Sequence, residues 1–284
     1  MSDATPPMAP AGSMTELVSF RKVTKVFGTG AGAKKAIEDV TFTVVDVPDR
    51  GELIALVGPS GCGKSTVLRT IAGLAPHFPP TSGEAVVFGR PVGGPGADRG
   101  LVDQKYSLLP HLTVVENIAF GLMLRGIGRA ERRDRARQWI VKVGLEGAED
   151  KYPSELSGGM QQRVALAATL ILEPRIILMD EPFGALDPRI RLRMQELLIQ
   201  LWKEQHSTVF IVTHSMEEAI YLGDRIFRFA ASPGRLVEVT EVPRPDEPPE
   251  QMRRRPWFVE MRAELLRRLE EEAPAAAVPA PPSS

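Results

Sequence analysis

Residues 58–66 read Gly58-Pro59-Ser60-Gly61-Cys62-Gly63-Lys64-Ser65-Thr66. The spacing fits G-x-x-x-x-G-K-[ST], and its surroundings fit as well. The apolar run Leu53–Val57 precedes it, and Lys64 to about Ala72 reads as a helix stopped by Gly73. Strand, glycine loop and helix in that order make an anion cradle. Gly58, Gly61 and Gly63 let the backbone turn tightly, so successive N–H groups can face phosphate oxygens. The helix adds its positive N-terminal end. Lys64 is then placed for the β- and γ-phosphates of a nucleotide, and the Ser65 hydroxyl for Mg²⁺. Cys62 sits mid-loop, where only its backbone is needed.

Downstream, Ile176-Ile177-Leu178-Met179-Asp180-Glu181 reads as a buried strand ending in two carboxylates. Beside a phosphate loop, Asp180 suits the Mg²⁺ shell and Glu181 suits orientation and polarisation of an attacking water. Read alone, the same pair could be the acidic start of a helix before Pro182.

The rest of the pattern alternates strand and helix. Leu17–Phe20, Val23–Phe27, Val40–Val47, Glu84–Phe88, Arg175–Met179 and Thr208–Thr213 read as strands. Residues 113–145 read as helix with a break near Gly126–Gly128, and Gly158–Leu172 and Ile190–Glu204 as further helices. This alternation predicts an α/β fold with a largely parallel sheet.

Composition narrows the class. Lys plus Arg number 35 and Asp plus Glu 36, a net charge of −1, which argues against a basic nucleic-acid binder. A single cysteine allows neither an internal disulfide nor a multi-cysteine zinc site. No apolar stretch reaches the ~18 residues of a membrane span. The 25 prolines are uneven: three fall in residues 1–13 and nine in 241–284. We therefore expect a disordered leader at 1–13 (with Met14 a possible alternative start) and one domain over 14–240. An extension over 241–272 and a Pro/Ala tail over 273–284 follow.

Leu156-Ser157-Gly158-Gly159-Met160-Gln161-Gln162-Arg163 resembles the signature of ATP-binding cassette (ABC) ATPases, 23 residues before Asp180 when counted from Ser157. Further landmarks follow in that family's order. Phe27 stands where an aromatic stacks on adenine, and Gln104 where a glutamine reaches Mg²⁺ and water. Ala185-Leu186-Asp187 resembles the D-loop, and His214 resembles the switch histidine that contacts the γ-phosphate. The resemblance covers about residues 16–240. It implies a P-loop NTPase of ABC type: a RecA-like mixed sheet core, an antiparallel β subdomain and an α-helical signature subdomain. It also implies ATP and Mg²⁺ as cofactors. Ser157, Gly158 and Gly159 would then close over a nucleotide held by a second copy. Two departures occur. Asp103 precedes Gln104 where an aromatic is common, and a carboxylate there is electrostatically unfavourable unless it points away. Ser215 follows His214 where Asp is common.

Finer strings resemble the nitrate/sulfonate/taurine-type importer ATPases: Gly94–Gly100, Pro182–Asp187 and Ser232–Leu236. This implies a peripheral subunit on the cytoplasmic face of the cell membrane, docked on transmembrane permease subunits and working indirectly with a solute-binding protein. The alternative is a soluble, non-transport ABC ATPase. Phe258, Met261, Leu265, Leu266 and Leu269 recur at helical spacing. They read as an amphipathic helix for this domain's own surface or, less simply, for a partner.

Overall fold

A computed structural model describes residues 16–46, 51–103, 108–243, 247 and 249–271. The leader 1–13, Met14, Gln104 and the tail 273–284 lie outside the described residues. The strands are β1 (Glu16–Phe27), β2 (Lys34–Val45), β3 (Leu53–Val57), β4 (Ser82–Val87), β5 (Arg90–Pro91), β6 (Arg99–Val102), β7 (Ile176–Asp180), β8 (Thr208–Val212), β9 (Arg225–Ala230) and β10 (Arg235–Glu241). The helices are α1 (Lys64–Ala72), α2 (Val114–Leu124), α3 (Arg129–Lys142), α4 (Gly158–Leu170), α5 (Pro188–Gln205), α6 (Met216–Leu222), α7 (Pro249–Met252) and α8 (Pro256–Glu271).

Two sheets form. An antiparallel one has the order β2-β1-β4-β5, and a six-stranded one the order β10-β9-β3-β8-β7-β6. In the second, β9, β3, β8, β7 and β6 run parallel, and only the edge strand β10 is antiparallel. The largely parallel sheet is therefore joined by a separate antiparallel one, the mixed arrangement the family resemblance implied. Strand β1 unites the two short segments at its start; register shifts between Phe20 and Val23, and a positive φ at Lys22, mark the irregularity between them. The strand expected at Val40–Val47 starts earlier, at Lys34, and Val47 lies outside the described residues.

The continuous apolar runs have a simple cause: the central strands are covered on both faces. Successive side chains of β3 alternate between two cores. Leu53, Ala55 and Val57 pack toward the helices, with Ile118, Val164, Leu198 and Ile220. Ile54 and Leu56 pack toward α1 and the antiparallel sheet, with Phe20, Val40, Leu68 and Ile71. Helix α8 belongs to the first core. Phe258 and Leu265 are buried there, Met261 and Leu269 pack against it, and the helix lies on α6. Leu266 departs from the expected apolar face and is 43% exposed.

Candidate active site

The C-terminal ends of β3, β7 and β8 converge on one cleft of about 310 Å³. Its walls are Phe27, Lys34, Ala36, Ser60, Gly61, Gly63, Lys64, Ser65, Thr66, Glu181 and His214. Crevices at the carboxyl ends of parallel strands are where such sheets bind ligands.

The loop from Gly58 to Gly63 owes its shape to glycine. Gly58 has φ 148°, and a Cβ there would lie 2.3 Å from the Phe229 carbonyl oxygen. Gly63, at φ 88°, would meet Ile37 Cγ2 at 2.3 Å. The side chain of Cys62 is buried and tucked under Gly58, so only its backbone faces the loop; burial pushes its thiol pKa up. Lys64 is 4% exposed. Its Nζ donates to the carbonyls of Gly58 (2.8 Å) and Pro59 (3.0 Å), so the ammonium is held by its own loop at the mouth of the cradle.

At the end of β7, Asp180 Oδ1 accepts from the Ser65 hydroxyl at 2.8 Å. Burial raises the Asp180 pKa, opposed by the Ser65 hydrogen bond and by the Arg69 charge. A hydroxyl and a carboxylate in contact are hard oxygen donors of the kind Mg²⁺ takes, and together they fit that ion. Glu181 then leaves the strand in a left-handed conformation, φ 50°, with its N–H on the Val212 carbonyl at 3.0 Å. A non-glycine residue in that region is uncommon and marks a position held by its surroundings. Its Oε1 is 2.7 Å from His214 Nε2.

Phe27 lines the cleft with His77 packed edge-on, centroids 5.2 Å apart, and Lys25 Nζ over the ring at 5.5 Å. Ser157, Gly158 and Gly159 are elsewhere, at the N-terminus of α4, and do not line this cleft. Ser157 caps that helix by accepting from the Met160 N–H at 3.4 Å. Gly159 is buried, and a Cβ on it would meet Ile190 Cγ2 at 2.8 Å. Asp187 caps α5, accepting from the N–H groups of Arg189 and Ile190 at 3.1 Å each.

Several residues were not anticipated from the sequence. Lys34 and Ala36 line the cleft from β2. Gln162, buried in α4, donates to the Pro182 carbonyl and ties the signature helix to the turn after Glu181. Arg191 donates to the carbonyls of Phe183 (3.2 Å) and Leu186 (3.0 Å), clamping the same turn. Glu218 accepts from the Thr213 hydroxyl at 2.9 Å beneath His214. With Glu181, Gly184, Arg191, Thr213, His214 and Ser215 it lines a second cavity of about 330 Å³. For Gln162, Arg191 and Glu218 the sequence signal was position, since each lies on a helix within five residues of a landmark; Lys34 and Ala36, on β2, had none.

A family model described as ABC transporter matches residues 37–184. The chain is 46% identical over 257 residues to an uncharacterized ABC transporter ATP-binding protein of Methanocaldococcus jannaschii, covering 90% of this chain and 92% of that one. It is 45% identical over 207 residues to the taurine import ATP-binding protein TauB of Escherichia coli K12, covering 73% and 78%. Among solved structures it resembles the dimeric, post-hydrolysis state of the ATP-binding cassette MJ0796 bound to ADP and Pi. That match has a TM-score of 0.69 and 32% identity, over 80% of this chain and 99% of that one.

Proposed function

The chain belongs to the ABC transporter family, and from that premise we propose that it is the ATP-binding subunit of an importer. It is an ATP hydrolase of ABC type. In the proposed assembly two copies enclose ATP between them and dock on transmembrane permease subunits at the cytoplasmic face of the cell membrane. No helix among the described residues is long and apolar enough to cross a membrane; in this reading the permease subunits hold the chain at the membrane. The TauB relatives are named for taurine import; in our reading the solute of this chain's transporter is small, of the nitrate, sulfonate or taurine kind, and a solute-binding protein delivers it.

The observation that carries the chemistry is the Glu181–His214 contact of 2.7 Å at the rim of the cleft that also holds Lys64 and Ser65. In the proposed mechanism Phe27 stacks on the adenine. The N–H groups from Ser60 to Thr66 receive phosphate oxygens, and Lys64 turns its ammonium from the Gly58 and Pro59 carbonyls to the β- and γ-phosphates. Ser65 and Asp180 would hold Mg²⁺, with Gln104 assigned beside them by resemblance. The ion held there would supply positive charge that neutralises the triphosphate as the γ-phosphoryl group is transferred. Glu181 accepts a hydrogen bond from the attacking water and aligns it for in-line displacement. His214, which Glu181 holds beside the cleft, turns its ring N–H to the γ-phosphate oxygens when the nucleotide is bound. Ser157, Gly158 and Gly159 of the second copy close the far side, where a capped helix start offers further N–H groups.

The importer reading is tested by pull-down of the tagged full-length chain from detergent-solubilised membranes. The expected result is a stoichiometric hydrophobic permease. A chain found wholly in the soluble fraction of a detergent-free lysate, with no such partner, overturns it.

A further inference from the structure

The guanidinium of Arg69 is not used by the chemistry above, yet it stands inside the site. Arg69 follows Ser65 by four residues on α1, so both project from one face of the helix. Its Nη2 is 3.3 Å from Asp180 Oδ2 and 3.4 Å from Asp103 Oδ1. The two carboxylates are neighbours by register. Val102 pairs with Met179 across parallel β6 and β7, so the residues that follow, Asp103 and Asp180, leave adjacent strand ends side by side. Asp180 is thus engaged on both oxygens, by the Ser65 hydroxyl on Oδ1 and by Arg69 on Oδ2.

A guanidinium on a buried carboxylate competes with a divalent cation for the same oxygens, and two cations at one carboxylate repel. The side chains of Arg69 and Asp103 are each about one-third exposed, whereas that of Asp180 is 7% exposed. Arg69 therefore has a second anionic partner toward solvent, away from the cleft floor. An aromatic at position 103 would offer it none.

We propose that Asp103 is a positioning residue for the divalent-cation site: it shares Arg69 with Asp180 and draws the guanidinium off the carboxylate that the cation needs. This rests on the reading of Ser65 and Asp180 as the chain's ligands for Mg²⁺. Without Asp103, Arg69 settles wholly on Asp180 and opposes the incoming ion.

The test measures the affinity of the full-length chain for a fluorescent, non-hydrolysable ATP analogue, once in EDTA and once in Mg²⁺. The ratio of the two is the gain supplied by the metal. Asp103→Asn should lower that gain about tenfold, the scale of outer-sphere effects at metal sites, while the affinity in EDTA stays within about twofold. In an Arg69→Gln background the same Asp103→Asn change should move the gain by less than about twofold, because the cation being diverted is gone. Asp103→Glu should restore the wild-type gain, and it carries the test if the Asn variant does not fold. An unchanged gain in Asp103→Asn, or an equal loss of affinity in EDTA, overturns the proposal. So does a tenfold effect of equal size in both backgrounds, which would make Asp103 an ordinary nearby charge. A gain that survives Asp180→Asn overturns the cation-site reading and the proposal with it.

Discussion

Two helices of this chain begin at glycine-rich turns, and they are built in opposite ways. The start of α1 is closed in by the rest of the molecule. Gly58 and Gly63 both have positive φ, and a Cβ on either would strike backbone or core atoms at 2.3 Å. Lys64 is buried against carbonyls of its own loop. The start of α4 is open: Ser157 and Gly158 are exposed, and a Cβ on Gly158 would meet nothing within 4 Å among the described residues. Gly159, one residue on, is again required by the chain itself, through Ile190. The first helix start, the candidate phosphate cradle, is thus specified by intramolecular packing. At the second, only Gly158 lacks an internal reason to be glycine. The dimer reading supplies an external one, the close approach of another copy's nucleotide.

The largest effect separates chemistry from assembly. Glu181→Gln should reduce ATP hydrolysis by about 10²–10⁴-fold, the usual contribution of a positioned base. ATP binding should persist, and an ATP-bound dimer should accumulate in gel filtration. Turnover near wild type would remove Glu181 from its role and leave the comparison without its catalytic half.

In that trapped background the two helix starts can be set against each other. Gly63→Val should cost about 3 kcal/mol or more in stability, since it combines positive φ with a clash, and nucleotide binding should be lost. Gly159→Ala should cost about 2 kcal/mol through overpacking on Ile190. Gly158→Leu should leave thermal unfolding and monomer ATP affinity nearly unchanged, within about 0.5 kcal/mol, yet abolish the ATP-induced dimer. A Gly158→Leu chain that still dimerises on ATP breaks the comparison, because α4 would then face no partner nucleotide.

The same contrast explains what could be read from the sequence. The cradle at 58–66, the apolar runs of β3, β7 and β8 and the carboxylates after Met179 are short-range patterns, each set by adjacent residues. Strand β6 carried no such signal. It is four residues long and contains Gly100, whose missing side chain makes room for Thr169 Cγ2 and Pro174. Strand β10 alternates between exposed and half-buried positions at a sheet edge, so no apolar run announces it. The supporting residues of the site were illegible for another reason. Arg69 meets Asp103 across 34 positions of chain, and Gln162 meets Pro182 across 20, contacts that only the parallel register and the helix packing bring about. The departure at Asp103 was visible as an extra negative charge. Its partner was not, because nothing local to Asp103 points to α1.

The smallest effect concerns the wall behind His214, on the closed side of the comparison. Glu218 is 5% exposed, its Oε1 has no hydrogen-bond partner among the described residues, and burial pushes its pKa up to about 7. The charged groups acting on it are Arg191 from α5, Arg253 beyond α7 and Glu181 at the end of β7. A carboxyl whose folded-state pKa is raised binds its proton more tightly in the native chain than in the unfolded one. The stability it contributes is therefore complete below the ordinary carboxylate pKa of about 4.5 and is lost as pH rises through about 7. Glu218→Gln keeps an oxygen for the Thr213 hydroxyl but cannot ionise. It should flatten the fall in unfolding temperature between pH 5 and pH 8 and stabilise the chain at pH 8 by on the order of 2 kcal/mol. The matching change on the open side, Ser157→Ala, removes a cap and no buried titratable group, so its cost of about 1 kcal/mol should be the same at both pH values. If Glu218→Gln and Ser157→Ala show the same pH profile, burial does not distinguish the two regions in this respect. The wall behind His214 would then be as open to solvent as the start of α4.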